Sequence, residues 1–313
     1  MKRFPPFPII LILFFILSMV RPVWVMASDD RILVIQSRKL NPYNEALEGW
    51  KQFFEQESFP VQYNEYNLEE YANKESELIS RIDEEPPRLI FAVGTEAALF
   101  SKNNFKDIPI VFAMVLDPVE SGIVSSGRGS RENITGVSLK ISIEAQFKKL
   151  KEVIPKIKVI GMLYDVKNMS RSKEEAQEAA DRLKLTLAAK PIYSKTDVDK
   201  ALAEIVKEAD CLWAGVDTFI YNPQSAQHIL LWTLRNKIPF MAFSSNYVNA
   251  GALLALECDY VDIGRQAAQM AIKILKGEEL KSLGIETPRR TRVIINQKTA
   301  QLIGVDVPRM SLE

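Results

Sequence analysis

The chain has 313 residues and a mass of 35.5 kDa, with 47% apolar and 26% charged side chains. This make-up fits about two globular domains and excludes disordered, collagen-like and mucin-like classes. Lys and Arg total 40, Asp and Glu total 40, and no run of five or more like charges occurs, so nothing marks a nucleic-acid surface.

The N-terminus reads as an export signal. Met1, Lys2 and Arg3 form a short basic start, residues 8–20 (PIILILFFILSMV) form a thirteen-residue apolar run, and Val25-Met26-Ala27 stands before Ser28 as a cleavage site. The run is short for a membrane span, which needs about 20 apolar residues. Arg21 between the run and the cut leaves an uncleaved anchor as the other reading. Removing Lys2, Arg3 and Arg21 leaves 37 basic side chains against 40 acidic ones, a net charge of −3 that suits an extracytoplasmic protein.

From there strands and helices alternate. Strands are expected at residues 32–36, 61–66, 89–93 and 110–114, with helices at 43–56, 68–83 and 96–102 between them. A Gly- and Ser-rich stretch, residues 121–131, reads as a loop or linker. The alternation then resumes. Strands are expected at 159–164, 185–190, 212–216, 240–243, 253–256 and 292–295, and helices at 171–183, 197–208, 224–236, 263–276 and 297–303. Such a series specifies an α/β fold with two doubly wound parallel-sheet lobes joined by a hinge.

Ligands of such sheets bind outside the carboxyl ends of the strands. The residues there are Gln36 and Ser37 leading to Asn44 and Glu45, then Gly94 and Thr95, then Asp117, in the first series. In the second they are Tyr164, Asn168 and Ser170, then Asp217, Thr218 and Phe219, then Ser244. Gly94-Thr95 at a helix start offers N–H groups to a carboxylate, or simply caps the helix. Asp117 and Asp217 offer charge to an ammonium, or bond their own turns. Tyr43, Tyr164, Phe219 and Tyr221 are apolar walls or core. His228, the one histidine, sits in an apolar helical pattern and reads as structural, with a ligand contact or catalysis as the other reading; a histidine-rich zinc site is excluded. Cys211 and Cys258 show no metal spacing and are expected as buried free thiols near opposite ends of one sheet. No nucleophile–base pair, metal cluster or cofactor motif is visible, so no catalytic residue, metal or cofactor is expected.

Several segments resemble the family of ABC-transporter substrate-binding proteins with the type I periplasmic-binding fold, which includes tryptophan- and phenylalanine-binding members. They are IPIVFAMVLDPVESGIV (108–124), ENITGVS (132–138), VGTEAA (93–98), GALLALECDYVDIGRQAAQMAIKILKGE (251–278) and VIINQKTAQLIGVDVP (293–308). YDVKNMSRS (164–172) and GVDTFI (215–220) stand where the family has Tyr-Ser-Ser-x-x-x-Asn-Ser and Pro-Thr-Asp-Asn. The segment after the first strand holds no histidine, and the asparagine of Thr-Asp-Asn is absent; both departures fall at the expected pocket.

The resemblance implies a first lobe of residues 28–117 plus about 258–280. The second lobe is about 142–245 plus 292–313, with crossovers near 117–142, 245–258 and 280–292. It implies that the helix at 263–276 packs on the first lobe. It further implies a monomeric, periplasmic or extracellular protein, not an enzyme, that captures a small molecule between the lobes and hands it to an ABC permease in the membrane. The cleft groups above describe an amino acid or related zwitterion. A ligand sensor docking to a membrane receptor or histidine kinase, and an enzyme, are the other readings. N-terminal sequencing of the exported protein should begin at or near Ser28; an intact Met1 in washed membranes would mean an anchor instead.

Overall fold

The computed structural model describes residues 30–125, 133–167, 169–194, 196–217 and 219–307; the expected signal segment and residues 126–132 of the Gly- and Ser-rich stretch lie outside these. The first lobe begins with β1 (Arg31–Gln36), α1 (Asn41–Gln56), β2 (Gln62–Asn67), α2 (Glu75–Glu84), β3 (Leu89–Val93), α3 (Thr95–Asn104) and β4 (Ile110–Val115). One helix was expected over 68–83. A 3-10 turn (Leu68–Tyr71) capped by Asn67 replaces its start, and Asn73, at φ 68°, separates that turn from α2.

A fifth strand, β5 (Ile134–Ser138), lies in the segment the sequence reading gave to a crossover. It completes an all-parallel sheet of order β2-β1-β3-β4-β5. β3 (LIFAV) and β4 (IVFAMV) are buried along their whole length, as strands covered on both faces must be. On one face Trp50 of α1 stacks on Phe91 of β3 at 3.8 Å. On the other, Leu78 and Ile82 of α2 and Ala97 and Ala98 of α3 pack on Leu33, Ile35 and Phe112.

The second lobe repeats the plan. It contains α4 (Ile143–Val153), β6 (Val159–Asp165), α5 (Ser170–Arg182), β7 (Thr186–Ile192), α6 (Asp197–Glu208), β8 (Cys211–Trp213), α7 (Pro223–Arg235), β9 (Phe240–Ala242), α8 (Ser245–Asn249) and β10 (Leu254–Cys258). Its sheet runs β7-β6-β8-β9-β10, the same order as the first, with β11 (Thr291–Ile295) antiparallel at the far edge. β10 therefore belongs to this sheet, although its residues fall in the crossover expected at 245–258. α4 and α8 were not foreseen. The predicted strand 212–216 stops at Trp213, because the chain beyond Ala214 leaves the sheet.

Register sets Trp213 level with Met241 and Leu254. Cys211 and Cys258 are thus two strands apart and roughly 20 Å apart along them. Both thiols are buried and free, near opposite ends of the sheet as expected, and no disulfide spans that distance. No helix among the described residues is long and apolar enough to cross a membrane.

The chain then returns. α9 (Tyr260–Leu275) follows β10 of the second sheet yet packs on α1 of the first lobe, as the resemblance implied. The two helices touch backbone to backbone. A Cβ at Gly49 would lie 1.9 Å from the Val261 carbonyl oxygen, and one at Gly264 would lie 1.8 Å from that of Ala46. α9 also holds the final crossover. The Asp262 carboxylate accepts from the Arg289 guanidinium at 2.9 Å through both oxygens, and Gln266 donates to Glu286 at 2.9 Å and accepts from the Arg289 backbone N–H at 3.1 Å. α10 (Gln297–Ile303), ended by Gly304 at φ 76°, closes the second lobe. Gly264→Ala should force the helices apart and lower stability by about 1–3 kcal/mol, read as a shifted denaturant midpoint. An unchanged midpoint would show that the crossing tolerates a methyl group.

Candidate functional site

Each sheet has the order 2-1-3-4-5, and sheets of this kind take ligands outside their carboxyl edges, at the switch in strand order. The two carboxyl edges meet at a cleft of about 400 Å³. Leu116, Asp117 and Glu120, following β4, form the first-lobe wall. Trp213 to Val216, at and beyond the end of β8, and Phe243, following β9, form the second. The crossovers form the back, with Lys140 and Ile141 after β5, and Glu257, Cys258 and Tyr260 at the end of β10.

Local structure places each wall. At Met114, a non-glycine residue at φ 61°, the pairing of β4 with β5 slips between Phe112 and Val115. Bulges of this kind redirect strand ends beside sites, and here the next residues are Leu116 and Asp117. On the other side, Trp213 is fixed by its indole N–H, which donates to Gln146 at 2.8 Å, and by the edge of Phe147 at 5.2 Å. Leu116 is 45% exposed and Val216 is 51% exposed, so an apolar side chain stands open on each wall.

The charges lie in two groups. Asp117 accepts the backbone N–H groups of Val119 and Glu120, both at 3.0 Å, and its other oxygen is 3.6 Å from the Lys140 ammonium. Lys140 is also 3.4 Å from Glu175 of α5. A chain of ion pairs thus runs from one wall, through the crossover, to the other. Deeper, Glu257 is 6% exposed and accepts the Ser245 N–H that opens α8. Arg292 lies 3.9 Å from Glu257, 4.0 Å from Glu45 and 5.9 Å above the Tyr260 ring. Burial, and after it the Glu257 carboxylate, pushes the Cys258 thiol and the Tyr260 phenol up to about 12, so both stay neutral at physiological pH.

The residues expected from sequence are distributed differently. Among those that lie in the described residues, Asp117 alone lines the cleft. Ser37, Gly94 and Thr95 gather at the ends of β1 and β3: the Ser37 hydroxyl accepts the Ala97 N–H at 2.9 Å and so caps α3. Gly94, at φ 99°, leaves no room for a side chain, since a Cβ would lie 2.5 Å from that hydroxyl and 2.7 Å from the Tyr43 oxygen. Gln36 donates to Asn44 at 3.4 Å, and Glu45 faces Arg292. In the second lobe Tyr164 and Phe219 pack against the core. Asp217 is 8% exposed and accepts the Ile220 N–H at 2.5 Å, closing its own turn. Ser244 leads into α8, where its carbonyl accepts the Tyr247 N–H at 3.1 Å. Asn168, Thr218 and the side chain of Ser170 lie outside the described residues.

Sequence reasoning missed Lys140, Gln146, Trp213 and Glu257. For Glu257 a signal existed, a carboxylate inside an otherwise apolar strand. Among the described residues no group of three or more His, Cys, Asp or Glu side chains is placed to hold a metal ion.

Comparison with known proteins agrees with this architecture. The ABC transporter substrate binding protein family matches residues 51–312. A tyrosine-binding protein of Clostridioides difficile (strain R20291) is 30% identical over 227 residues, 72% of this chain and 65% of the relative, so the match spans just under two thirds of that protein. The ligand-free, open structure of a substrate-binding protein with adhesive properties from Clostridium difficile superposes with a TM-score of 0.78 at 26% identity, covering 90% of this chain and 97% of that one. A Streptococcus pneumoniae ABC domain in complex with L-Trp shares the fold, with a TM-score of 0.62 at 22% identity over 90% of this chain and 97% of the other. Matched through residues 51–312 and built as two similar lobes around one cleft, the chain belongs to the ABC transporter substrate-binding protein family.

Proposed function

We propose that this chain is the ligand-capturing component of an ABC importer, and that it takes an amino acid in the cleft between its lobes. An aromatic amino acid is the first candidate. The observation that carries this reading is the cleft itself. Two sheet edges meet there, and each presents an open apolar side chain, Leu116 on one wall and Val216 on the other. A ligand touching both walls favours the closed arrangement of the lobes, and no bond is made or broken. Removing two half-exposed aliphatic side chains from water contributes roughly 1 kcal/mol each. The tyrosine-binding relative supports a ring-bearing ligand, for which Trp213, Phe243 and Tyr260 in the lining are suited partners.

In this reading residues 1–27 direct export, the protein works as a monomer in the periplasm or outside the cell, and a membrane permease receives the ligand. Ser37, Gly94, Thr95 and Asn44 form the first-lobe rim that approaches the ligand on closure, facing Tyr164, Phe219 and Ser244. Asp217 serves the turn that carries the second wall.

A calorimetric screen of L-tyrosine, L-tryptophan, L-leucine and simple sugars tests this. At least one amino acid should bind, and Val216→Asp should weaken that binding about 10-fold or more, or about 1.4 kcal/mol. The ligand-free melting temperature should not move, because Val216 is half exposed. Binding of sugars alone, or unchanged affinity in Val216→Asp, would contradict the reading.

A further inference from the structure

We infer that Glu257 anchors the ammonium group of the ligand, and that the cleft therefore selects amine-bearing molecules over their carboxylate-only counterparts. The inference rests on the cleft being the ligand site.

Glu257 ends β10 at the back of the cleft, between the two walls. It is 6% exposed, and one carboxylate oxygen accepts the Ser245 N–H. Among the described residues the other oxygen has no hydrogen-bond donor within reach. Its nearest cation, the Arg292 guanidinium, is 3.9 Å away, half exposed, and shared with Glu45 and the Tyr260 ring. That oxygen borders the cleft and is not sealed from it, so a cation entering the cleft can reach it. Trp213, Phe243 and Tyr260 share the lining with it. A carboxylate set among aromatic faces is the chemistry that recognises an organic ammonium.

The cleft offers much less to a ligand carboxylate. Lys140 is the one cation among its described lining residues, and two carboxylates, Asp117 at 3.6 Å and Glu175 at 3.4 Å, already engage it. A ligand carboxylate would have to displace one of them. At Glu257 an ammonium competes only with the looser Arg292 contact, 3.9 Å away and shared with Glu45. This assigns the cation-binding role to a residue on the hinge side of β10, in place of Asp217, whose oxygen closes a turn.

The test uses two matched sets: L-tyrosine, tyramine and 3-(4-hydroxyphenyl)propionate, and L-leucine, isoamylamine and 4-methylpentanoate. With the wild-type chain, in at least one set the amine should bind and the acid should bind about 10-fold more weakly or not at all. Glu257→Gln keeps the shape and the acceptor for Ser245, and should weaken the amine and the amino acid about 10- to 100-fold while leaving the acid unchanged. An acid that binds as well as its amine, failure of both amines to bind, or an equal loss for all three members of a set in Glu257→Gln overturns the inference. The wild-type comparison decides even if the variant does not fold. Binding of either amino acid with neither amine bound removes this inference and leaves the importer reading intact; amine binding with neither amino acid bound does the reverse.

Discussion

The contact on which the rest of the molecule depends is the crossing of α1 and α9. Gly49 and Gly264 let the two helix backbones meet with no side chain between them. Among the described residues α9 is the one long helix that follows a strand of one sheet and is buried against the other. On its first-lobe side lie Ile263, Ala267, Met270 and Ala271, packed with Trp50 and Phe91. Asp262 and Gln266 hold residues 286–290, where the chain passes back towards β11. Two of the three passages between the lobes are thus fixed to one helix. Moving α9 by a methyl group would move the ends of β10 and β11, and Glu257 and Tyr260 with them.

The cleft follows from that arrangement. Each wall presents an open apolar side chain, Leu116 on one and Val216 on the other, while charged groups lie at the back and along the Asp117–Lys140–Glu175 chain that joins the walls. Apolar area supplies most of the affinity in such sites, and a few polar groups set orientation. The ion pairs that span the walls are partly exposed, and pairs of that kind contribute about 0–1 kcal/mol. They bias the spacing of the lobes without locking it, which fits the proposed capture and release of a ligand. The Asp262–Arg289 pair, with a buried carboxylate and a half-exposed guanidinium, has two-oxygen geometry and ties α9 to the final crossover.

Most of the fold was legible because buried parallel strands are short apolar runs. LIFAV and IVFAMV could be nothing else once flanked by Pro86-Pro87, Gly94 and Asp117. ITGVS, residues 134–138, is short and half polar, and its neighbour in sequence is a Gly- and Ser-rich stretch; its burial comes from pairing with β4 and lying under α9, which local pattern does not reveal. The candidate site was less legible for a similar reason. The rule that ligands bind at strand ends points to the edges that border the cleft, but it takes the first polar residue after each strand as facing that cleft. Asp217 and Ser37 turn back to bond their own backbone neighbourhood, while Lys140 and Glu257 reach the cleft from crossovers that only the tertiary arrangement brings together.

The central claim, that the cleft captures a small amine-bearing molecule for delivery, meets its most direct test in the protein as it leaves the cell. The purified, never-denatured chain should be unfolded, the released small molecules separated, and their masses measured against a control purification. The account predicts a molecule of amino-acid size carrying a primary amine, present in proportion to the protein. A neutral sugar, a metal chelate or a purely anionic compound in that proportion would contradict it.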